Sequence, residues 1–161
     1  MKTILAPIDF SKVSNSVVNE ACELARALEG RVVLLAVVQP PVVVTEYAVM
    51  IDNIAELTAA GEKNAARQLE ALEEKVKSEF VSVESVQVVG APVANIIDQA
   101  EKFDADYIVM GSHGHTAFYD LLVGSTTHGV LMRAKCPVVI VPSAKEKSSA
   151  KRKSEKRGLV V

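Results

Sequence analysis

The chain has 161 residues, 49% of them hydrophobic and 24% charged, which is the size and make-up of one globular domain with a full core. Its formal net charge of -2 conceals a division: residues 145–161 hold seven Lys/Arg against two Asp/Glu, whereas residues 1–144 hold eleven against eighteen. An acidic body has no basic face for phosphate backbones, which excludes a nucleic-acid-binding domain outside the tail. The two cysteines, Cys22 and Cys136, are too few for a disulfide framework and read as structural thiols. No apolar run approaches the ~18 residues of a membrane span, so the chain reads as cytoplasmic, with no membrane partner.

In chain order, Thr3 to Ile8 and Arg31 to Val38 are apolar runs without helical period, expected as strands buried on two faces. Between them Val17, Val18, Ala21, Leu24, Ala25 and Leu28 recur at helical spacing. Ser11, Ser14 or Ser16 offers an N-cap, and Gly30 closes the helix. The segment from Gln39 to Met50 opens on Pro40-Pro41 and reads as a loop. A long helix follows from about Asp52 to Ser78, its stripe running through Ile54, Leu57, Gly61, Leu69, Leu72 and Val76. Residues 81–89 begin with clean alternation, which marks an outer strand. Pro92 then suits the first turn of a helix that buries Val93, Ile96, Ile97 and Ala100. Tyr107 to Met110 and Pro137 to Val141 are the last two strands, separated by a glycine-bearing loop and a short helix from about Ser125 to Ala134.

Strands that alternate with helices predict an α/β fold: a five-stranded parallel, doubly wound, Rossmann-like sheet of order 3-2-1-4-5 with helices on both faces. If the first strand lies beside the fourth, the crevice where such sheets bind ligands falls at Asp9 and Gly111. The domain is expected to span residues 1–144, with 145–161 a basic, Ser/Lys-rich and flexible tail.

The chemistry concentrates after the fourth strand, in residues 111–126. Gly111 and Gly114 are suited to tight turns and close approach to a ligand, and Gly124-Ser125 stands where a helix begins, with free N–H groups and a hydroxyl for phosphate. No Walker lysine follows, and no strand carries the dinucleotide pattern of three close glycines. His113, His115 and His128 have no Cys or carboxylate at ligand spacing, so a zinc site is not expected. Ser125, His128 and Asp120 lack the surroundings of a nucleophile elbow.

The spacing Gly111, Gly114, Gly124, Ser125 resembles the motif of the ATP-binding universal stress proteins. The resemblance extends to residues 4–11, which are similar to that family's first strand and its acidic end, to residues 34–38 and to residues 136–141. It covers residues 1–143. It implies a nucleotide site in which Asp9 approaches the nucleoside or a Mg2+ ion and the main chain at Val37 meets the adenine edge. Gly111 and Gly114 would line the ribose and phosphate path, and Gly124, Ser125 and Thr126 would hold phosphates. Pro7, Met110 and His115 complete the implied set. Asp9 also suits an Asx cap for the helix that follows, and a buried valine at position 37 needs no ligand to explain it. Two departures from the family stand out: Gly129 interrupts the phosphate-side helix, and Thr126-Thr127-His128 replaces a more apolar start.

The resemblance implies a regulator that binds ATP, or AMP or ADP, and acts on an unidentified protein client, with at most slow hydrolysis. No Lys or Arg between Gly111 and Val130 is at hand to stabilise a phosphoryl-transfer transition state. The alternatives are a stress-induced dimer with no nucleotide and an adenylating enzyme of the wider superfamily. The second would need a Ser/Gly-rich loop where Asp9-Phe10-Ser11-Lys12 stands. Finally, Val138 to Val141 is apolar throughout yet expected at a sheet edge, where pairing with a second copy would cover it.

Overall fold

Apolar runs without helical period form strands that must be covered on both faces, and helices packed on either side supply that cover. In the computed structural model, which describes residues 1–40, 52–79, 81–112 and 123–142, the elements follow that logic. They are β1 (Thr3–Ile8), α1 (Ser14–Ala27), β2 (Arg31–Val38), α2 (Asp52–Ser78), β3 (Ser82–Val89), α3 (Pro92–Lys102), β4 (Tyr107–Gly111), α4 (Ser125–Leu131) and β5 (Val138–Val141). Every pairing is parallel and the order is β3-β2-β1-β4-β5, as expected, with β3 and β5 at the edges. Side chains alternate across the sheet. Ile4, Ala6, Val32 and Leu34 enter one core with α1 and α2, while Leu5, Val33 and Leu35 enter the other with α3 and α4. Among the described residues no helix is long and apolar enough to cross a membrane.

The N-cap of α1 is not what the serines suggest. Val13 holds the cap position without a side-chain bond, and the Ser14 hydroxyl turns instead to Asp9. The stripe along α2 holds only in its second half, where Ala65, Leu69 and Val76 are buried, whereas Leu57 is 57% exposed. Length explains this: a 27-residue helix is about 40 Å long and an eight-residue strand about 27 Å. A Cβ at Gly61 would meet Val38 Cγ1 at 3.4 Å, so Gly61 stands level with the last residue of β2 and the turns before it overhang the sheet.

Towards the C-terminus, α4 stops at Leu131, short of Ala134, and Gly129 does not interrupt it. A Cβ at Gly129 would lie 2.8 Å from Val93 Cγ2, so glycine lets α4 approach α3. The last strand begins at Val138, because Pro137 contributes only its carbonyl, which accepts from Ile108 N–H (3.0 Å). Cys22 and Cys136 are free thiols, and burial pushes both above the ordinary thiol range. The expected tail and the loop after Pro40 lie outside the described residues.

Candidate functional site

The site begins with a missing hydrogen bond. Asp106 N–H donates to Thr3 C=O (2.9 Å) and Arg31 N–H to Lys2 C=O (2.8 Å), so odd-numbered residues of β1 turn their backbone groups to β4 and even-numbered ones to β2. Pro7 falls on the β4 side and has no N–H to give. The β1–β4 ladder registers Ile4 with Tyr107 and Leu5 with Ile108 and ends there, while β1 stays paired with β2 as far as Ile8 and Ala36. Past Leu5 the two strands part. A cleft of about 280 Å³ opens between their C-terminal ends, where the winding of the sheet reverses.

One wall is the turn from β1 into α1. Asp9 Oδ1 accepts from Ser11 N–H (2.9 Å) and from the Ser14 hydroxyl (3.1 Å). Between them Phe10 takes a left-handed φ of 59°, a conformation that costs a side-chain-bearing residue about 1–2 kcal/mol. The carboxylate therefore holds the turn, and Asp9 is also exposed on the cleft. The floor is apolar, built from Leu35, Val37, Ile96 and Met110. The same alternation turns the backbone of Val37 toward β1. The donor that would meet its carbonyl is Phe10 N–H, beyond the end of β1 on the residue where the chain turns.

The opposite wall joins β4 to α4. Gly124 N–H donates to Ser112 C=O (2.7 Å), and His128 N–H makes the first helical bond, to Gly124 C=O (2.8 Å). The N–H groups of Ser125, Thr126 and Thr127 precede that bond and have no partner within α4. All three residues line the cleft. Buried Thr127 fixes their distance from the sheet, its hydroxyl donating to Gly111 C=O (2.8 Å). The glycines serve differently from the expectation. Among the described glycines only Gly90 has a left-handed φ (142°), and Gly124 has an ordinary φ of -66°. Gly111 and Gly124 matter as stretches of wall without a side chain, not as turns.

Pro7, Asp9, Val37, Met110, Gly111, Gly124, Ser125 and Thr126 thus all line one cleft. Gly114 and His115, with His113 and Asp120, lie outside the described residues; His128 is exposed. Sequence reading missed Ser14, Ser112 and Thr127, which hold the walls, and Gln39 and Pro92 at the rim. The signal for Thr127 was present, a hydroxyl at the third residue of a helix that follows a glycine, but was read only as a departure from a pattern. An apolar floor, unpaired main-chain N–H groups and one carboxylate suit a small polar-ended molecule with an aromatic body. The volume lies near the lower end of the usual range, about 300–1,000 Å³. Among the described residues no three His, Cys, Asp or Glu gather to cage a metal. Asp9 alone could hold Mg2+, and only together with oxygens of a bound ligand.

Comparison with known proteins bears on this cleft. The model of the "Universal stress protein family" matches residues 1–142. Universal stress protein A homolog 1 of Coxiella burnetii is 33% identical over 87% of this chain and 95% of its own. Among solved structures, universal stress protein UspA from Lactobacillus plantarum superposes with a TM-score of 0.78 at 25% identity, over 87% of this chain and 97% of that one. A universal stress protein in complex with cAMP superposes with a TM-score of 0.61 at 25% identity, over 88% and 96%.

Proposed function

The chain belongs to the universal stress protein family, and from that premise we propose that it is a cytoplasmic adenine-nucleotide-binding regulator that takes ATP with Mg2+ in the cleft between β1 and β4. The observation that carries the proposal is the convergence, in one cleft, of an apolar floor, an outward-facing backbone edge at Val37 and the unpaired N–H groups of α4. The floor accepts the flat face of a purine, and the Val37 main chain offers its edge an acceptor. The first turn of α4 directs N–H groups at phosphate oxygens. Asp9 would supply the one carboxylate of a phosphate-bound Mg2+. The related protein solved with cAMP favours adenine as the base. With no Lys or Arg among the described residues of the wall, the cleft is suited to holding the nucleotide rather than to fast phosphoryl transfer.

Calorimetry with Mg-ATP tests this reading. Gly111→Val with Gly124→Val should fill the wall and abolish binding while the far-UV circular dichroism stays unchanged. Equal affinity in wild type and variant would remove the assignment.

The regulator is proposed to act as a homodimer. β5 is an edge strand of apolar residues, and Val138, Val139 and Ile140 are only half-buried. Pairing with β5 of a second copy about a two-fold axis would complete their burial and bond the open edge. The exposed Leu131 and Met132 lie in the connection just before it. Light scattering at micromolar concentration should give twice the monomer mass of 17.2 kDa. Val139→Lys with Val141→Lys should reduce it to monomer or drive aggregation.

A further inference from the structure

The cleft lacks a partner for the charge it is proposed to hold. Asp9 is the one charged residue among its described lining, and no Lys, Arg or His is among them. The two connections that adjoin the described elements on this side, residues 41–51 and 113–122, contain no Lys or Arg in their sequence either. Helix-start N–H groups bind phosphate, but a dipole end carries only about half a charge. A polyphosphate chain brings several.

The chain itself has an unassigned cationic segment, and the fold delivers it to this spot. All strands are parallel, so β5 ends at the same pole as β1 and β4. Its last residue, Val141, stands level with Gly111. The Val141 carbonyl accepts from Ser112 N–H (2.9 Å), and the Ser112 carbonyl accepts from Gly124 N–H (2.7 Å). The chain therefore leaves the domain at Pro142, one hydrogen bond from the wall that faces the phosphates. Lys145 follows three residues later, within about 10 Å of extended chain, and Lys151-Arg152-Lys153 within about 40 Å. The family match stops at residue 142, so the segment is an addition of this chain to the family's domain.

We propose that residues 145–157 fold back over the cleft and provide the cationic contacts to the nucleotide phosphates that its walls lack. The inference rests on the adenine-nucleotide reading of the cleft. It makes affinity depend on phosphate number: the tail adds grip on ATP, less on AMP and none on adenosine. It also makes ATP binding salt-sensitive beyond what the cleft alone gives.

The test uses the full chain with all seven Lys and Arg of residues 145–157 replaced by Gln, titrated with ATP and with adenosine at low and high salt. At low salt the variant should bind ATP at least about tenfold more weakly, the equivalent of one lost charge-assisted hydrogen bond. It should bind adenosine as wild type does, and the difference for ATP should fade at high salt. Equal ATP affinity and equal salt dependence in the two proteins would overturn the proposal while leaving the nucleotide site standing, provided adenosine binds. If neither ligand binds wild type, the site and the proposal fall together. ATP still held by the Gly111→Val, Gly124→Val chain with its tail intact would assign binding to the tail alone and overturn the cooperation with the cleft.

Discussion

The two ends of the sheet use the same materials to opposite effect. At the N-terminal pole Asp106 joins strands: its carboxylate accepts from Lys2 Nζ (2.5 Å) and from Thr3 N–H (2.8 Å), while Asp106 N–H donates to Thr3 C=O. Arg31 extends the tie, bonding Thr3 Oγ1 (3.3 Å) and Glu84 (3.1 Å) with its guanidinium over the Phe103 ring. Side chains thus cross from β3 through β2 to β1 and on to the start of β4. At the C-terminal pole Asp9 spends its carboxylate on its own turn, and Pro7 withholds the next rung of the β1–β4 ladder. One pole is closed by an aspartate between strands. The other is left open by a proline within one, and the open pole is where a ligand can enter.

Thr127 is where the open pole is most easily broken. It is 4% exposed, and its hydroxyl is the side-chain tie from α4 to the end of β4. Thr127→Val keeps the shape and removes the donor, so the Gly111 carbonyl loses its partner at a cost of about 1–3 kcal/mol. Urea unfolding should record that loss, and calorimetry should record Mg-ATP affinity falling about tenfold or more as the wall moves. Thr127→Ser restores the hydroxyl and should recover most of both. A valine variant that binds like wild type would mean the wall is held by Ser112 and Gly124 alone.

Pro7→Ala tests the open ladder directly. Alanine adds an N–H on the β4 side, where one more bond to β4 becomes available. That bond is worth about 0.5–1.5 kcal/mol, and loss of proline's restraint on the unfolded chain removes about 0.4–1 kcal/mol. Net stability should therefore change by less than about 1 kcal/mol, while nucleotide affinity drops as the strands close. Hydrogen exchange provides the sharper readout. A protected amide at position 7 means that the rung has formed, and free exchange there would show that something other than proline parts the strands.

The architecture was legible because strand and helix periods are physical and local. Apolar runs such as Ile4 to Ile8 and Val32 to Val37 can be satisfied only in a sheet covered on both sides, and one alternation of strands with helices then leaves few topologies. The cleft residues were legible for the same reason, since a parallel sheet collects the ends of its strands. What could not be read was who bonds whom. Ser14 looks like a cap in one dimension and is a partner of Asp9 in three. Leu57 obeys the helical stripe, yet its exposure follows from a length mismatch between α2 and β2, a property of two elements together. The service of Pro7 in opening the ladder depends on which neighbour its missing N–H faces, which is fixed only when β4 is set beside β1.

The smallest expected effect belongs to the closed pole. Asp106→Asn keeps an acceptor for Thr3 N–H and removes only the charge opposite Lys2, on a pair whose side chains are 55% and 27% exposed. The bond to Lys2, then the Thr3 N–H, hold the Asp106 carboxyl below the ordinary carboxylate range, and the same bond raises Lys2 above the ordinary lysine range. A carboxylate with a depressed folded pKa stabilises the fold above its unfolded value, near pH 4, and loses that contribution as pH falls through the folded value. A lysine with a raised folded pKa contributes below about pH 10.4 and loses its share as pH rises through the raised value. Wild type should therefore be more stable than Asp106→Asn across the neutral range by a margin that shrinks with salt, as exposed pairs do. The two proteins should converge below pH 4 and approach each other again above pH 10. The same substitution at the other pole, Asp9→Asn, should leave this pH profile untouched and weaken Mg-dependent nucleotide binding instead. A common pH profile for the two variants would mean that the poles do not divide stability from binding in this way.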